Sequence, residues 1–222
     1  VEADGSFEVI VSKNKQEGNW LPLAEDSSML LVRQTFLDRK SEEPAKVRIE
    51  TIDGPATPPL AETQNIAAAL TRSTAFVQGT AKLFIDWAET FRSNNLNTLD
   101  TVDQTMFFKA GGDAMIYYLH GYWDIPSGKA LKIKTSIPEC EGWNFQLNNI
   151  WMESLDYRYH DIHVNNASAK LDDDGGVTII VGERDPGIGN WLDTAGHTRG
   201  TMLLRWTGAN EHPVPTCEVI DL

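Results

Sequence analysis

The chain has 222 residues, with 19 Lys and Arg against 32 Asp and Glu, a formal charge of −13. Its 41% hydrophobic and 23% charged residues are a globular composition, which excludes disorder. The acidic balance argues against nucleic acid, whose phosphates need clustered Lys and Arg, and no apolar run of about 18 residues exists to span a bilayer.

The chain opens Val1-Glu2-Ala3-Asp4 without an initiator Met or a signal-like apolar segment, which reads as a processed or trimmed chain. The compartment stays open between cytoplasm and export. A β-rich run, Phe7-Glu8-Val9-Ile10-Val11, precedes Gly18-Asn19-Trp20-Leu21. Polar residues follow, then a strand at 29–33, a loop with Pro44 and a closing strand at 47–50. The same order returns near the C-terminus. Gly189-Asn190-Trp191-Leu192 repeats the tetrapeptide at an offset of 171, Gly5 falls on Gly176, and the first run matches Val177-Thr178-Ile179-Ile180-Val181. A strand at 201–205, Pro213, Pro215 and a closing strand at 217–220 complete the second copy. Such a repeat of strand units predicts one recurring β fragment. Trp20 and Trp191 are then expected to plug a sandwich, with Asn19 and Asn190 holding turns through side-chain-to-backbone bonds.

Between the copies, Asp53-Gly54-Pro55 through Pro58-Pro59 is a breaker cluster. Ile66, Leu70, Val77, Ala81, Phe84, Ala88 and Phe91 then recur at helical spacing, predicting a helix over 60–95 that Pro59 starts. Gly79 weakens its middle by about 1 kcal/mol relative to Ala, so the segment reads as one kinked helix or two. From about residue 101 the pattern turns β-rich. Strands at 115–119 and 130–134 flank Pro126-Ser127-Gly128-Lys129 and read as a hairpin. Trp143-Asn144-Phe145-Gln146-Leu147-Asn148 alternates strictly, placing three apolar residues on one face and three amides on the other. The expected fold class is mainly β: a sandwich or jelly-roll-like unit at 101–222, a linker and helical segment at 54–100, and an N-terminal repeated β fragment at 1–53. Neither a Gly-rich phosphate loop nor βαβ alternation is present to suggest a nucleotide-binding fold.

Three stretches carry a family resemblance. They are Tyr117-Tyr118-Leu119-His120-Gly121-Tyr122-Trp123, then Trp143-Asn144-Phe145-Gln146-Leu147-Asn148-Asn149 with Trp151-Met152-Glu153-Ser154-Leu155-Asp156, and Gly189-Asn190-Trp191-Leu192-Asp193-Thr194-Ala195-Gly196-His197 with Gly200, Met202 and Arg205. Over about 105–222 the chain resembles the bacterial domain-of-unknown-function family numbered 1214. The resemblance implies a jelly-roll-like β fold and leaves the activity unassigned.

Several residue sets invite chemistry. Asn144, Gln146 and Asn148, beside Trp123, Trp143 and Trp151, combine amide donors and acceptors with flat indole platforms. That set suits a small polar or amphipathic ligand such as a carbohydrate; core filling by the indoles is the competing role. Glu153, Asp156 and His160 are candidates for acid–base work in a hydrolase or lyase, with structural hydrogen bonding as the plainer role. His160 and His163, near Asp156 and Asp161, lack metal-ligand spacing, so neither a metal nor a cofactor is expected. Ser154, His197 and Asp193 supply triad residue types without a nucleophile elbow. Asp172-Asp173-Asp174-Gly175-Gly176 lacks the alternation of a calcium loop. Cys140 and Cys217 are read as two buried thiols, with one bridge as the alternative. The leading reading is a binding module, ahead of an enzyme and of a structural or assembly module, with a homo-oligomer left open as a partner arrangement.

Overall fold

The computed structural model describes residues 1–27, 29–55, 57 and 60–222. Pro58 and Pro59, part of the expected breaker cluster, lie outside the described residues. Contacts divide the chain into two compact units, one of residues 1–36 and 43–47, the other of residues 37–42 and 48–222.

The smaller unit holds two short strands, β1 (Ile10–Ser12) and β2 (Trp20–Pro22), paired in parallel with Ile10 opposite Trp20. The expected strands at 29–33 and 47–50 do not form. A strand needs a neighbouring strand for its backbone N–H and C=O groups, and neither stretch is paired in a sheet among the described residues.

The larger unit begins its regular structure with helix α1 (Thr63–Asn94), unbroken across Gly79 and about 48 Å long at 1.5 Å per residue. It ends where expected. The Asn95 amide donates to Phe91 O at 2.7 Å, and the Asn95 side chain donates to His120 O at 2.9 Å. Its buried residues, Ala88 and Phe91, lie near its C-terminal end. Next come β3 (Asp100–Thr101) and helix α2 (Gln104–Lys109), whose Asp103 carboxylate accepts from the Thr105 amide at 3.0 Å as an N-cap.

The remaining strands are β4 (Ile116–Asp124), β5 (Lys129–Thr135), β6 (Gly142–Leu147), β7 (His163–Asn165), β8 (Val177–Gly182), β9 (Asn190–Asp193), β10 (Arg199–Thr207) and β11 (Thr216–Asp221). They complete two sheets, β3-β4-β10-β6-β7 and β11-β5-β8-β9. Within these two sheets every strand pairing is antiparallel except β8 with β9. The fold is a mainly β sandwich.

The expected hairpin is not one. β4 and β5 flank Pro126-Ser127-Gly128, but β4 pairs with β3 and β10 while β5 pairs with β11 and β8. The connection crosses between sheets, pinned by Ile125 N–H to Thr198 O at 3.2 Å and Gly128 N–H to a Glu183 carboxylate oxygen at 3.1 Å. Turn residues specify that the chain reverses; burial then decides which neighbour the next strand meets.

The core lies between the sheets. Leu119, Trp123, Trp143, Phe145, Leu147, Met202, Leu204 and Trp206 from one sheet meet Leu131, Ile133, Val177, Ile179, Val181 and Leu192 from the other. The opposite face of the five-stranded sheet carries a second cluster, in which Tyr118, Tyr122 and Leu203 are covered by Phe91 of α1 and Phe107 of α2. No helix among the described residues is long and apolar enough to cross a membrane.

Candidate functional site

Strand alternation decides what the outer face of the five-stranded sheet presents. On β6, Trp143, Phe145 and Leu147 are buried, whereas Asn144 and Gln146 are partly exposed on the other face. In the cross-strand rows, Asn144 stands between Arg205 and Asn165, and Gln146 stands between Leu203 and His163. The face therefore runs from the apolar cluster under the helices to a polar stripe of Arg205, Asn144, Gln146 and His163. Gln146 is oriented by its neighbour: its amide nitrogen donates to the Asn148 side-chain oxygen at 2.7 Å. Asn148 is buried, and its backbone N–H donates to Thr201 O at 2.8 Å. Asn148 thus positions Gln146 instead of presenting itself.

The two indoles separate. Trp123 is fully buried and donates to Thr201 O at 3.1 Å, so it belongs to the core and offers no platform on the surface. Trp151 is 51% exposed. It sits on a loop organised by Asn149, whose side-chain oxygen accepts from the amides of Trp151 and Glu153 at 2.9 and 3.1 Å. The next residue, Met152, takes a left-handed φ of 63° and packs against the outer-face cluster. The loop is thereby fastened to the same face as Gln146.

Two aromatic residues not singled out in the sequence join this region. Tyr157 and Tyr159 are exposed, with the guanidinium of Arg39 over the Tyr157 ring at 4.5 Å and that of Arg158 over the Tyr159 ring at 5.5 Å. Asn165 donates to Leu37 O at 2.8 Å, tying the 37–42 segment to the β7 end of the stripe. Burial pushes the His163 imidazole below its ordinary range, against the opposing charge of Asp161 and with smaller help from the positive charges of Arg39 and Lys40. No sequence signal marks these partners, because residues 37–42 and 157–165 meet only in the folded chain.

The acid–base candidates are each occupied. Glu153 accepts from the Asn149 side chain at 2.8 Å. Asp156 takes two bonds from the Arg158 guanidinium at 3.0 Å, which holds its carboxyl below the usual carboxylate range. His160 has a carboxylate partner that spacing did not indicate: its Nδ1 lies 2.7 Å from Asp193 Oδ2. Asp193 Oδ1 in turn accepts from the Ala195 amide at 2.8 Å. Asp193 therefore faces His160 and not His197, and the triad residue types Ser154, His197 and Asp193 do not assemble as one.

Other features resolve as structure. Lys134 lies 3.0 Å from Asp174 and 3.6 Å from Asp172, and Thr178 donates to Asp172 at 2.7 Å. Lys134, Leu171, Asp172, Asp173 and Asp174 floor an open surface hollow of about 460 Å³. Among the described residues, no three His, Cys, Asp or Glu side chains converge as a metal would require. Cys140 and Cys217 are free thiols, and burial pushes both up.

Gly-Asn-Trp-Leu plays one role in both units. Asn19 donates to Glu8 O at 3.1 Å and Asn190 to Thr178 O at 2.8 Å. The Trp20 indole donates to Ser12 O at 3.2 Å and the Trp191 indole to Gly182 O at 3.0 Å. These bonds run from side chain to backbone and tie the tetrapeptide across to the preceding strand. Both indoles are half-buried against their strands, not sandwich plugs.

The geometry defines a class: a two-sheet sandwich with a helix-covered face and a polar stripe beside it. Within that class, the chain belongs to the family described as "Protein of unknown function (DUF1214)", whose model matches residues 1–36 and 130–211. Each matched stretch contains one Gly-Asn-Trp-Leu. A crystal structure of an uncharacterised protein from Burkholderia cenocepacia is similar, with 46% identity and a TM-score of 0.94. That alignment covers 100% of this chain and 61% of the Burkholderia one, so the chain spans less than two thirds of its length. A Vibrio parahaemolyticus protein aligns at 14% identity and a TM-score of 0.41, over 75% of this chain and 48% of that one, too distant to carry an argument. No curated protein matches the chain.

Proposed function

We propose that this protein is a binding module for a small polar or amphipathic ligand of the carbohydrate type, held on the polar stripe of the five-stranded sheet. One observation carries the reading: Gln146 is partly exposed while the buried Asn148 fixes its orientation. An oriented amide on a rigid strand is preorganised to pair with a hydroxyl, because little side-chain freedom remains to be lost on binding. Asn144 and His163 extend the polar floor, and Trp151 supplies an exposed aromatic plane for the apolar face of a sugar. We read the strand order as jelly-roll-like and the Gly-Asn-Trp-Leu units as an internal repeat. On the same footing, we read 101–222 as the ligand-bearing domain.

A thermal-shift panel of mono- and oligosaccharides tests the site. A ligand at about 100 times its Kd adds about 2.7 kcal/mol, a rise of roughly 5–10 °C for a domain of this size. Gln146→Ala is expected to weaken that ligand about tenfold while leaving the unliganded melting temperature within a few degrees. Binding unaltered in Gln146→Ala and Trp151→Ala, or no saccharide shift at all, sinks the reading.

The His160–Asp193 pair favours a second reading, a hydrolase or lyase. A carboxylate on Nδ1 holds the ring in the tautomer whose Nε2 acts as base. Turnover of nitrophenyl ester or glycoside substrates that His160→Gln abolishes would support it; equal rates in wild type and variant would end it.

A further inference from the structure

The outer face of the five-stranded sheet is one surface with two halves. Its cross-strand row His120–Leu203–Gln146–His163 starts under the helices and ends in the polar stripe. Phe91 of α1 and Phe107 of α2 close the covered half, stacking on the two sides of the His120 imidazole. Trp87 of α1 meets Phe107 edge-on at 5.3 Å, which joins the two helices into one cover.

The polar atom inside this cover is the buried Nδ1 of His120, which has no hydrogen-bond partner among the described residues. A neutral ring packs there as a flat body. An imidazolium would find no acceptor and no water, and attraction to the two ring faces offsets only part of the cost of dehydrating its charge. The charges nearby do not compensate. On β10, Arg205 adds a like charge. On β3, Asp100 stands opposite His120 but is exposed, and its carboxylate accepts from the Thr101 amide at 2.6 Å. On α1, Glu89 and Arg92 are exposed and bond each other. At α2, Asp103 caps the Thr105 amide and Lys109 is exposed. In the loop before β4, Asp113 accepts from the Met115 amide at 2.9 Å. At the far end of β4, Asp124 stands opposite Arg199. The phenols of Tyr118 and Tyr122, on the same face of β4, titrate far above neutral pH.

The sandwich behind the sheet does not share this weakness, because the buried side chains between the two sheets are all apolar. Lifting the cover leaves that core and the pairing of β4, β10, β6 and β7 in place. At the edge of β4 the cover is held by side-chain amides: Asn95 donates to His120 O, and Gln104 donates to Tyr118 O and accepts from the Tyr118 amide, each at 2.9 Å. Water can serve those edge groups once the cover leaves.

We propose that the C-terminal end of α1 and α2 form an acid-released cover, which protonation of His120 lifts from the outer face while the sandwich stays folded. Release uncovers Tyr118, Tyr122 and Leu203 beside Gln146, so the polar stripe gains an apolar, aromatic extension at low pH. The device stands whether or not the stripe binds a saccharide.

Hydrogen exchange on the full chain at pH 7.5 and pH 5, read as protection factors, tests it. Amides of residues 88–95 and 104–110 are expected to be less protected than those of β5 and β8 at both pH values, the mark of local opening. Between the two they are expected to lose roughly 30-fold, the linkage of a group held at about 3 under the cover and near 6.5 once released. In His120→Phe the loss is expected to stay below about threefold. A measurement on the wild type is independent of how that variant folds: the His120 ring signals in nuclear magnetic resonance are expected to remain those of a neutral imidazole wherever the cover is protected. Three outcomes overturn the proposal. One is equal protection of the cover and of β5 and β8, meaning that the cover leaves only when the whole fold unfolds. The second is no loss, or the same loss in wild type and His120→Phe. The third is a His120 ring that protonates while the cover stays protected.

Discussion

His120 sits at 2% exposure between Phe91, stacked at 4.5 Å and 12°, and Phe107, stacked at 4.7 Å and 29°. Its Nδ1 has no hydrogen-bond partner among the described residues. Burial, with the charge of Arg205 second, pushes the imidazole down to about 3. The unfolded chain, with an ordinary His value near 6.5, therefore binds more protons than the folded one between about pH 3 and 6.5. This contribution to stability is complete above the unfolded value and is lost as pH falls through that window, at up to about 1.4 kcal/mol per pH unit. Chemical denaturation of the wild type is expected to show declining stability from pH 6.5 to 4.5. His120→Phe should lose much of that slope, with His163 and, toward pH 4.5, the carboxylates held low such as Asp156 and Asp174 supplying the remainder, and an unchanged slope would refute the assignment. Removing a buried polar atom that lacks a partner costs little, so His120→Phe at pH 7 is expected to stay within about 2 kcal/mol of wild type.

At the scale of elements, β4 depends on a residue without a side chain. A Cβ on Gly121 would lie 1.9 Å from Thr98 O and 2.8 Å from Met202 Cε. The Thr98 carbonyl is backbone and can move only with the segment joining α1 to β3, so the close approach requires glycine. Gly121→Ala is expected to destabilise the fold by about 3 kcal/mol or more, read from the denaturation midpoint. Gly128→Ala meets no atom within 4 Å and pays only for its φ of +77°, so a smaller loss, about 1 kcal/mol, is expected there. The element-level contrast with the sequence is clear in β6 and in β4–β5. The alternation of β6 was readable because side chains on a strand must point to opposite faces. The β4–β5 pairing was not, because a turn signal is local while the choice of sheet depends on strands β8 and β10, more than 40 residues away.

At the scale of the molecule, the N-terminal unit carries apolar residues that its two short strands do not bury. Phe7 is 61%, Met29 81% and Leu31 63% exposed. A two-stranded ladder of this size cannot offset the chain entropy it restricts. Residues 1–53 produced alone are therefore expected to show no cooperative thermal transition by circular dichroism, while residues 60–222 are expected to keep one. A sharp transition in the short fragment would make it a domain in its own right.

Sequence alone determined the β class, the helix and its end at Asn95, the buried face of β6, the recurrence of Gly-Asn-Trp-Leu and the family. The helix end and the buried face of β6 follow from spacing of a few residues, which local geometry converts directly into a terminus or a face, whereas the family rests on the resemblance of whole motifs. Only the tertiary structure decided that Trp123 is core and Trp151 surface, that Asp193 serves His160, and that Arg39 reaches Tyr157. Those outcomes depend on which strands become neighbours, and neighbours are chosen by burial of the whole core, a quantity no short stretch of the chain contains.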